Sequence, residues 1–271
     1  MCPVLPGPYL RADMPAADYI TSDVHLGAVP RSTERAFVAF LEHVGEAGSS
    51  LLIAGDLFDF WFEYGDVIPG RHYRVLAALS KLVDAGIPVT YAGGNHDAWG
   101  GRFLRDHVGL RLHLEPFRTT LAGRPALVAH GDGLGKGDIK YRILKAVIRS
   151  RAAILGFRLL HPELGMKFAR SVSSTEPRAQ PDAEQKGRAQ FIEAWSRAQL
   201  TRDPSLAWVV CGHSHVPALV EVEPGRWYVN TGDWLTHFSY VTIDAEGTPA
   251  MRRWPDRGAF LPARVAAPPA G

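Results

Sequence analysis

Short apolar runs that end in polar, glycine-containing turns recur along most of this chain. Runs of this length, rich in β-branched and aromatic residues and closed by turn residues, are typical of buried strands. Six runs fit this description: Tyr19–Ser22, Leu51–Ala54, Val89–Ala92, Ala126–Ala129, Trp208–Cys211 and Trp227–Asn230. The pattern therefore predicts a sheet protein in which each of these strands ends in a polar turn.

Helical patterns alternate with the first strands. Apolar residues recur every three to four positions in segments 33–47 and 72–85, and Ser32 is placed to cap the first helix. Strands that alternate with helices predict an α/β sheet. Four later strands follow one another with short turns and predict a second sheet, so we expect a layered sandwich: segments 124–130, 218–222, 226–230 and 238–243.

The segment 134–203 interrupts this alternation. It has helical patterns and no strand signal, which predicts a helical insertion or cap between two strand-end motifs. Segments 1–17 and 257–271 are rich in proline and predict flexible tails, which leaves one domain over residues 18–256.

Composition and charge narrow the class of protein. The 271 residues include 30 Lys plus Arg against 28 Asp plus Glu, and this net charge of +2 argues against a nucleic-acid partner. No apolar run approaches the ~18 residues of a membrane span. Cys2 lies in a tail and Cys211 in a strand, so a disulfide is not expected. Because the start also lacks the pattern of a signal peptide, we expect a cytoplasmic protein.

Residues of the kinds that bind divalent metal ions follow five of the predicted strands. The motifs are Asp23-Val-His25, Gly55-Asp56-Leu-Phe-Asp59, Gly94-Asn95-His96-Asp97, His130-Gly-Asp132 and Gly212-His213-Ser-His215. In open α/β sheets, ligands collect beyond the carboxyl ends of the strands. Mixed carboxylate, amide and imidazole donors suit manganese, iron or zinc, and the lack of thiolates argues against a closed structural zinc site. Each motif is common by itself, but five together predict one metal centre.

The order of these motifs resembles the signature of the calcineurin-like metallophosphoesterases over residues 19–245. The resemblance implies an α/β fold, a four-layer β-sandwich flanked by helices. It also implies two divalent metal ions at the edge of the sandwich, and Mn²⁺ is the ion expected. It implies that one ion binds to Asp23, His25, Asp56 and His215, and the other to Asp56, Asn95, His130 and His213. Two ions ~3.5–4 Å apart can hold a phosphoryl group and ionise a water molecule.

The resemblance also implies roles for side chains that do not bind metal. His96 is expected to contact the phosphate and assist the leaving group, and Asp97 to orient the His96 imidazole. Asp59 and Asp132 are either similar supports of ligand histidines or simply carboxylates of turns.

Two further segments narrow the resemblance. Gly55–Trp61 and Gly232–Trp234 are similar to the UDP-2,3-diacylglucosamine pyrophosphatases of lipid A biosynthesis, which work at a membrane. The resemblance implies hydrolysis of a UDP-linked diacylglucosamine to UMP and diacylglucosamine 1-phosphate. This chain has His96 where the best-known branch of that family has arginine. Two alternatives stay open, a phosphodiesterase or phosphatase for a soluble nucleotide and a non-catalytic scaffold.

The predicted insertion combines basic and bulky apolar residues. Nine Lys and Arg residues lie between Lys136 and Arg170, against only Asp138 and Glu163. Basic amphipathic helices with apolar faces bind anionic membrane surfaces, which predicts a peripheral location on the inner membrane. The apolar face could instead line an acyl-chain pocket or pack on the sandwich. Arg142 and Lys145 are candidates for binding the anionic glycolipid substrate.

Overall fold

The computed structural model describes residues 16–65, 67–97, 99–134, 139–172 and 183–255. Within these ranges the side chains of residues 139–142, 144 and 168–172 are not described. The tails predicted at 1–17 and 257–271 therefore lie almost wholly outside the described residues, as do Cys2 and the side chain of Arg142. None of the described helices is long and apolar enough to cross a membrane.

Eleven strands form two sheets in the described part of the chain. The strands are β1 (Ala17–Thr21), β2 (Gly48–Ile53), β3 (Val89–Ala92), β4 (Arg111–His113), β5 (Phe117–Leu121), β6 (Arg124–Val128), β7 (Trp208–Cys211), β8 (Ala218–Glu223), β9 (Arg226–Asn230), β10 (Ser239–Ile243) and β11 (Pro249–Arg253). The first sheet has the order β11-β10-β1-β2-β3-β4 and the second has the order β5-β6-β7-β9-β8.

Parallel strands occupy the middle of both sheets. β1, β2 and β3 are parallel neighbours, with Ile20 opposite Leu52, and β6, β7 and β9 are parallel neighbours in the second sheet. Parallel neighbours end at the same edge of a sheet, so the turns that follow β1, β2 and β3 lie side by side. The turns after β6, β7 and β9 do the same in the second sheet.

Six helices complete the described fold: α1 (Arg31–Ala47), α2 (Tyr73–Asp84), α3 (Ile139–Ile148), α4 (Arg151–Arg158), α5 (Pro162–Val172) and α6 (Ala183–Arg202). The structure confirms both helices predicted in the first third of the chain. The cap predicted for the first helix is wrong. Ser32 lies inside α1, and the carbonyl of Pro30 accepts hydrogen bonds from the Thr33 and Glu34 amides instead.

Three hydrophobic cores hold four layers together. One packs α1 and α2 on the outer face of the first sheet, through residues such as Phe37, Leu79 and Tyr91. A second lies between the two sheets, where Ile20 and Trp208 are fully buried. A third packs α6 on the outer face of the second sheet. The order helix, sheet, sheet, helix confirms the predicted four-layer α/β sandwich.

The helices between β6 and β7 have two different environments. α6 belongs to the body of the molecule, because Ile192 and Leu200 are fully buried against the second sheet. In α4, Phe157 is the buried apolar residue, and its ring packs against those of Phe62 and Trp99. We use "cap" below for α3, α4 and α5.

Candidate metal centre

The polar turns predicted from the sequence meet where the edges of the two sheets come together. Asp23 and His25 follow β1, Asp56 follows β2 and Asn95 follows β3, all at one edge of the first sheet. His130 follows β6 and His213 and His215 follow β7, at the edge of the second sheet. Contacts across the two sheets join these turns into one site, because His130 lies beside Asp56 and His215 beside His25.

The first group of candidate ligands contains Asp23, His25 and His215. Their ligand atoms lie within 4.8 Å of one another. The Nε2 atoms of the two imidazoles are 3.2 Å apart, and Nε2 of His215 is 3.3 Å from Oδ1 of Asp23. Asp23 and His25 are fully buried, while the His215 side chain keeps 19% of its surface exposed. This group is therefore buried on one side and open to solvent on the other.

The second group contains Asp56, His130 and His213, whose ligand atoms also lie within 4.8 Å of one another. Nε2 of His130 is 3.1 Å from Oδ2 of Asp56 and 3.3 Å from Oδ1 of Asn95. The amide oxygen of Asn95 thus points at the same imidazole nitrogen as the carboxylate. Nδ1 of His130 lies 2.9 Å from the carbonyl of Ala54, which fixes the ring.

One carboxylate stands between the two groups. Oδ2 of Asp56 is 3.8 Å from Nε2 of His25 and 3.1 Å from Nε2 of His130. His96 lies near the same carboxylate, and its ring approaches that of His25 at a centroid distance of 4.7 Å. A shared oxygen between two sets of imidazoles is the arrangement that two neighbouring cations require.

The backbone of these turns is strained where the candidate ligands lie. Five of them adopt the left-handed conformation that non-glycine residues rarely use: Asp23, His25, Asp56, His213 and His215, with φ between 50° and 68°. Such strain costs ~1–3 kcal/mol per residue and clusters at functional sites. These turn conformations direct the five side chains toward the centre.

Glycines beside the ligands make room for them. A Cβ atom on Gly94 would overlap Oδ1 of Asp56, and one on Gly55 would overlap the His130 ring. A Cβ atom on Gly212 would lie 2.6 Å from Oδ2 of Asp23. These three positions therefore admit only glycine while the carboxylates and imidazoles keep their places.

Burial and neighbouring charges shift the pKa values of two histidines of the centre in opposite directions. Burial opposes a charge on His130, but the neighbouring Asp56 carboxylate outweighs it and raises the pKa of the imidazole to about 10. Burial and the positive charge of His130 lower the pKa of His213 to about 3. Two buried carboxylates with an amide and several imidazoles fit divalent cations, and a cation bound to His130 would displace its proton.

The model of the calcineurin-like phosphoesterase family matches residues 19–217, which is most of the chain. This protein belongs to that family. It is therefore a hydrolase, as the sequence predicts.

Two relatives are similar to this phosphoesterase over most of its length. UDP-2,3-diacylglucosamine hydrolase of Stenotrophomonas maltophilia is 31% identical over 235 residues, which cover 83% of this chain and 94% of the relative. The protein of the same name from Porphyromonas gingivalis is 26% identical over 244 residues, covering 83% and 93%. Among solved structures, Vps29 complexed with zinc from Entamoeba histolytica is 12% identical with a TM-score of 0.43, covering 90% and 96%.

The support for His96 differs from the expected arrangement. Nδ1 of His96 lies 3.0 Å from the carbonyl oxygen of Asp59 and 3.6 Å from its Oδ1, so Asp59 holds the ring. Asp97 is buried and instead accepts hydrogen bonds from the amide of Gly94 and the hydroxyl of Tyr91. Asp97 faces inward because the turn folds its carboxylate back onto its own backbone, which corrects the predicted pairing of Asp97 with His96.

A carboxylate that the sequence analysis left out of the site also supports the phosphoesterase centre. Asp233 follows β9, is 3% exposed, and its Oδ2 lies 3.8 Å from Nδ1 of His215 and 3.2 Å from Nδ1 of His237. A carboxylate beside the second nitrogen of a ligand histidine fixes the ring and its tautomer. The signal was present, because Gly232-Asp233 ends a strand as Gly55-Asp56 does.

Lys145 reaches the rim of the centre from the cap. Its Nζ is 2.5 Å from Oδ2 of Asp132, whose side chain is 3% exposed. The charge of Lys145 is therefore already paired, and the neighbouring lysine and histidine charges hold the pKa of Asp132 below its usual value against the effect of burial.

Two cavities open beside the metal centre. An inner cavity of about 350 Å³ extends from His130 and Asp132 to Lys145 and Arg149. An outer groove of about 780 Å³ runs between the cap and the body. Apolar side chains, among them Phe62, Trp99, Phe103 and Ile154, line it together with four arginines. Leu114, Glu115 and Arg149 line both, so the two spaces adjoin.

The crowding at Gly94 gives a direct test of the centre. Alanine at Gly94 should lower Mn²⁺ affinity by ~10–100-fold, the scale seen when groups that orient metal ligands are disturbed. The backbone at Gly94 is not left-handed, so the expected loss of affinity comes from the overlap of the new methyl group with Asp56 and not from backbone strain. Titration calorimetry with Mn²⁺ measures the change.

Gly187→Ala is the matched control. Gly187 lies in α6 with nothing within 4 Å of an added Cβ, so this variant should bind Mn²⁺ as the parent protein does. Unchanged affinity in Gly94→Ala, with a native circular dichroism spectrum, would contradict the assignment of Asp56 to the metal centre.

Proposed function

We propose that this phosphoesterase uses two divalent ions, Mn²⁺ in the cell, to hydrolyse the pyrophosphate of a UDP-linked diacylglucosamine to UMP and diacylglucosamine 1-phosphate. The observation that carries the proposal is the position of Asp56 between two groups of buried imidazoles, next to cavities that lead into an apolar groove. The relatives named UDP-2,3-diacylglucosamine hydrolase support the substrate class.

The proposed ligand sets follow the two groups. Asp23, His25, Asp56 and His215 would hold one ion, and Asp56, Asn95, His130 and His213 the other. Bound there, the ions would supply an ionised water molecule and charge to stabilise the transition state. Ser22 Oγ, 2.5 Å from Oδ2 of Asp23, and Asp233 beside His215 would keep the first set in place.

His96 is suited to act on the leaving group. Its side chain is 22% exposed, so part of the ring is accessible to a substrate. Because Nδ1 is bound at the Asp59 carbonyl, Nε2 is the nitrogen left to contact a phosphate oxygen. The Asp59 carboxylate, 3.6 Å from Nδ1, would stabilise a positive charge on the ring.

The outer groove suits the acyl part of the proposed substrate. Phe62, Trp99, Phe103 and Ile154 provide apolar walls, and burial of apolar surface gives ~25 cal/mol per Å². A nucleobase can stack on an aromatic ring, but the acyl chains of a diacylated sugar can cover far more of these walls. The groove therefore favours the lipid substrate over a soluble nucleotide.

Comparison of three substrates tests the proposal. The Mn²⁺-loaded protein should release UMP from UDP-2,3-diacylglucosamine with a kcat/KM at least ~100-fold above that for UDP-N-acetylglucosamine, because the acyl chains add apolar contacts in the groove. A chromogenic phosphodiester reports on the metal centre alone. Equal rates on the two UDP-sugars would favour the alternative, a phosphodiesterase or phosphatase for soluble nucleotides.

The roles of Asp56 and His96 can be separated. Asp56→Ala removes the shared carboxylate and should abolish both metal binding and activity. His96→Ala should keep both ions and lose ~10²–10⁴-fold in kcat, the scale of a lost acid–base group. Metal analysis and turnover are measured on the same preparations. His161→Ala, an exposed histidine of the cap, is the control and should behave as the parent protein. Loss of an ion in His96→Ala would overturn this division.

The surface of the cap supports a peripheral membrane location. Of the ten large apolar side chains exposed among the described residues, seven belong to segment 143–164: Ile143, Val147, Ile148, Leu155, Leu159, Leu160 and Leu164. Arg151, Arg158 and Lys167 are exposed in the same helices. Apolar side chains next to cations suit an anionic membrane surface. Arg149 is not part of this surface, because its guanidinium bonds to Leu114 and Glu115.

Vesicle binding tests this location. Each Lys or Arg near an anionic surface contributes ~1 kcal/mol, and salt screens this as the Debye length falls from ~10 Å at 0.1 M to ~3 Å at 1 M. Co-sedimentation with anionic vesicles should thus weaken with salt, and further in Arg151→Glu/Arg158→Glu. Leu155→Ser/Leu159→Ser should remove the salt-resistant part, whereas Tyr73→Ser, an exposed apolar residue outside the cap, should not. Absence of binding at low salt would contradict the proposal.

A further inference from the structure

Arg149 follows the last residue of α3 and lies where the inner cavity meets the outer groove. One nitrogen of its guanidinium, Nη1, donates hydrogen bonds to the Leu114 carbonyl at 3.0 Å and to Oε1 of Glu115 at 2.7 Å. The side chain is 14% exposed. These bonds fix the guanidinium against the loop that follows β4, in the wall shared by the two spaces.

The other half of this guanidinium has no partner in the described protein. Nε and Nη2 of Arg149 are buried, and neither makes a hydrogen bond to any described residue. Buried donors of a charged group are costly unless an acceptor meets them. Glu115 offsets the charge only weakly, because 76% of its carboxylate side chain is exposed to solvent. An anion that reached these two nitrogens would therefore offset a cost that the protein otherwise bears.

The other cations around the two cavities are less suited to this task. Lys145 shares the inner cavity but is paired with the buried Asp132 at 2.5 Å. Arg102, Arg105 and Arg158 line the outer groove and are exposed, the first two by 86% and 52%, so water screens their charges. Arg149 combines burial with two adjacent free N–H groups, the fork that matches two oxygens of a phosphate.

We infer that Nε and Nη2 of Arg149 bind the phosphate of a pyrophosphate substrate that is not attacked at the metal centre. The inference rests on the proposed function and names the residue that distinguishes a pyrophosphate from a simple phosphodiester. The inner cavity connects Arg149 to His130, so a substrate with one phosphoryl group at the metal centre can extend its second one toward the guanidinium. The rest of such a substrate then enters the outer groove.

The first test compares two substrates in Arg149→Gln. Loss of a charge-assisted hydrogen bond should raise KM for UDP-2,3-diacylglucosamine by ~10–100-fold. KM and kcat for bis(p-nitrophenyl) phosphate, which has no second phosphate, should stay within about twofold, since no contact to it is lost. Arg202→Gln, an exposed arginine at the end of α6 that lines neither cavity, is the matched control and should leave the kinetics of both substrates unchanged. Equal losses on both substrates, or no loss on either, would overturn the inference.

Glu115→Gln provides a readout that a purely structural arginine would not change. The Glu115 carboxylate, which accepts from Nη1, would repel a phosphate bound at Nε and Nη2, so its neutralisation should lower KM for the pyrophosphate substrate by up to ~5-fold, the scale of an exposed ion pair. If Arg149 only fastened the cap to the β4 loop, loss of this pair would leave KM unchanged or raise it. This variant also keeps the inference testable if Arg149→Gln does not fold.

Calorimetry separates this inference from the proposed function. Imidodiphosphate, a pyrophosphate that resists hydrolysis, is titrated into the Mn²⁺-loaded protein and its Arg149→Gln variant. If the parent protein hydrolyses no UDP-sugar, the proposed function fails, yet ~10–100-fold weaker binding of imidodiphosphate by the variant would still support Arg149 as the site of the second phosphate. Equal binding by the two proteins would overturn it.

Discussion

The buried carboxylate of Asp56 is the constraint on which the rest of the centre depends. It lies at the junction of two sheets, with Nε2 of His25 at 3.8 Å on one side and Nε2 of His130 at 3.1 Å on the other. A buried anion is tolerable only when cations or donors surround it. The second sheet supplies His130 and the first supplies His25. The centre is therefore complete only when the two sheets are packed against each other.

The turns at the strand ends adopt strained backbone conformations around this carboxylate. Asp56 itself has a left-handed backbone, with φ of 50°, and Gly55 and Gly94 leave no room for a side chain near it. The interface between the sheets, with Ile20 and Trp208 fully buried, provides the packing energy that offsets such strain. The geometry of the ligands is thus imposed by the cores on either side and not by the turns alone.

The cap gives this general phosphoester chemistry its proposed selectivity. Phe157 fastens α4 to the aromatic side chains of the body, and Lys145 and Arg149 fasten α3 to the loops beside the centre. These contacts enclose an apolar groove on one side and leave the apolar surface of the cap facing solvent on the other. In the proposed function, this one insertion would both bind the acylated substrate and contact the membrane.

The sequence by itself determined the strands that carry the ligands, because buried parallel strands are continuous apolar runs and their turns hold the chemistry. It did not reveal β4, β5 and β11, which lie at sheet edges and lack a continuous run of bulky apolar residues. Only the tertiary structure decided that Asp59, and not Asp97, holds His96, and that Arg149 is buried with half of its guanidinium free in the described protein. The pattern of a sequence shows which face of one strand or helix is buried. The partners of His96 and Arg149 depend instead on which loops the packing of separate layers brings within hydrogen-bond distance.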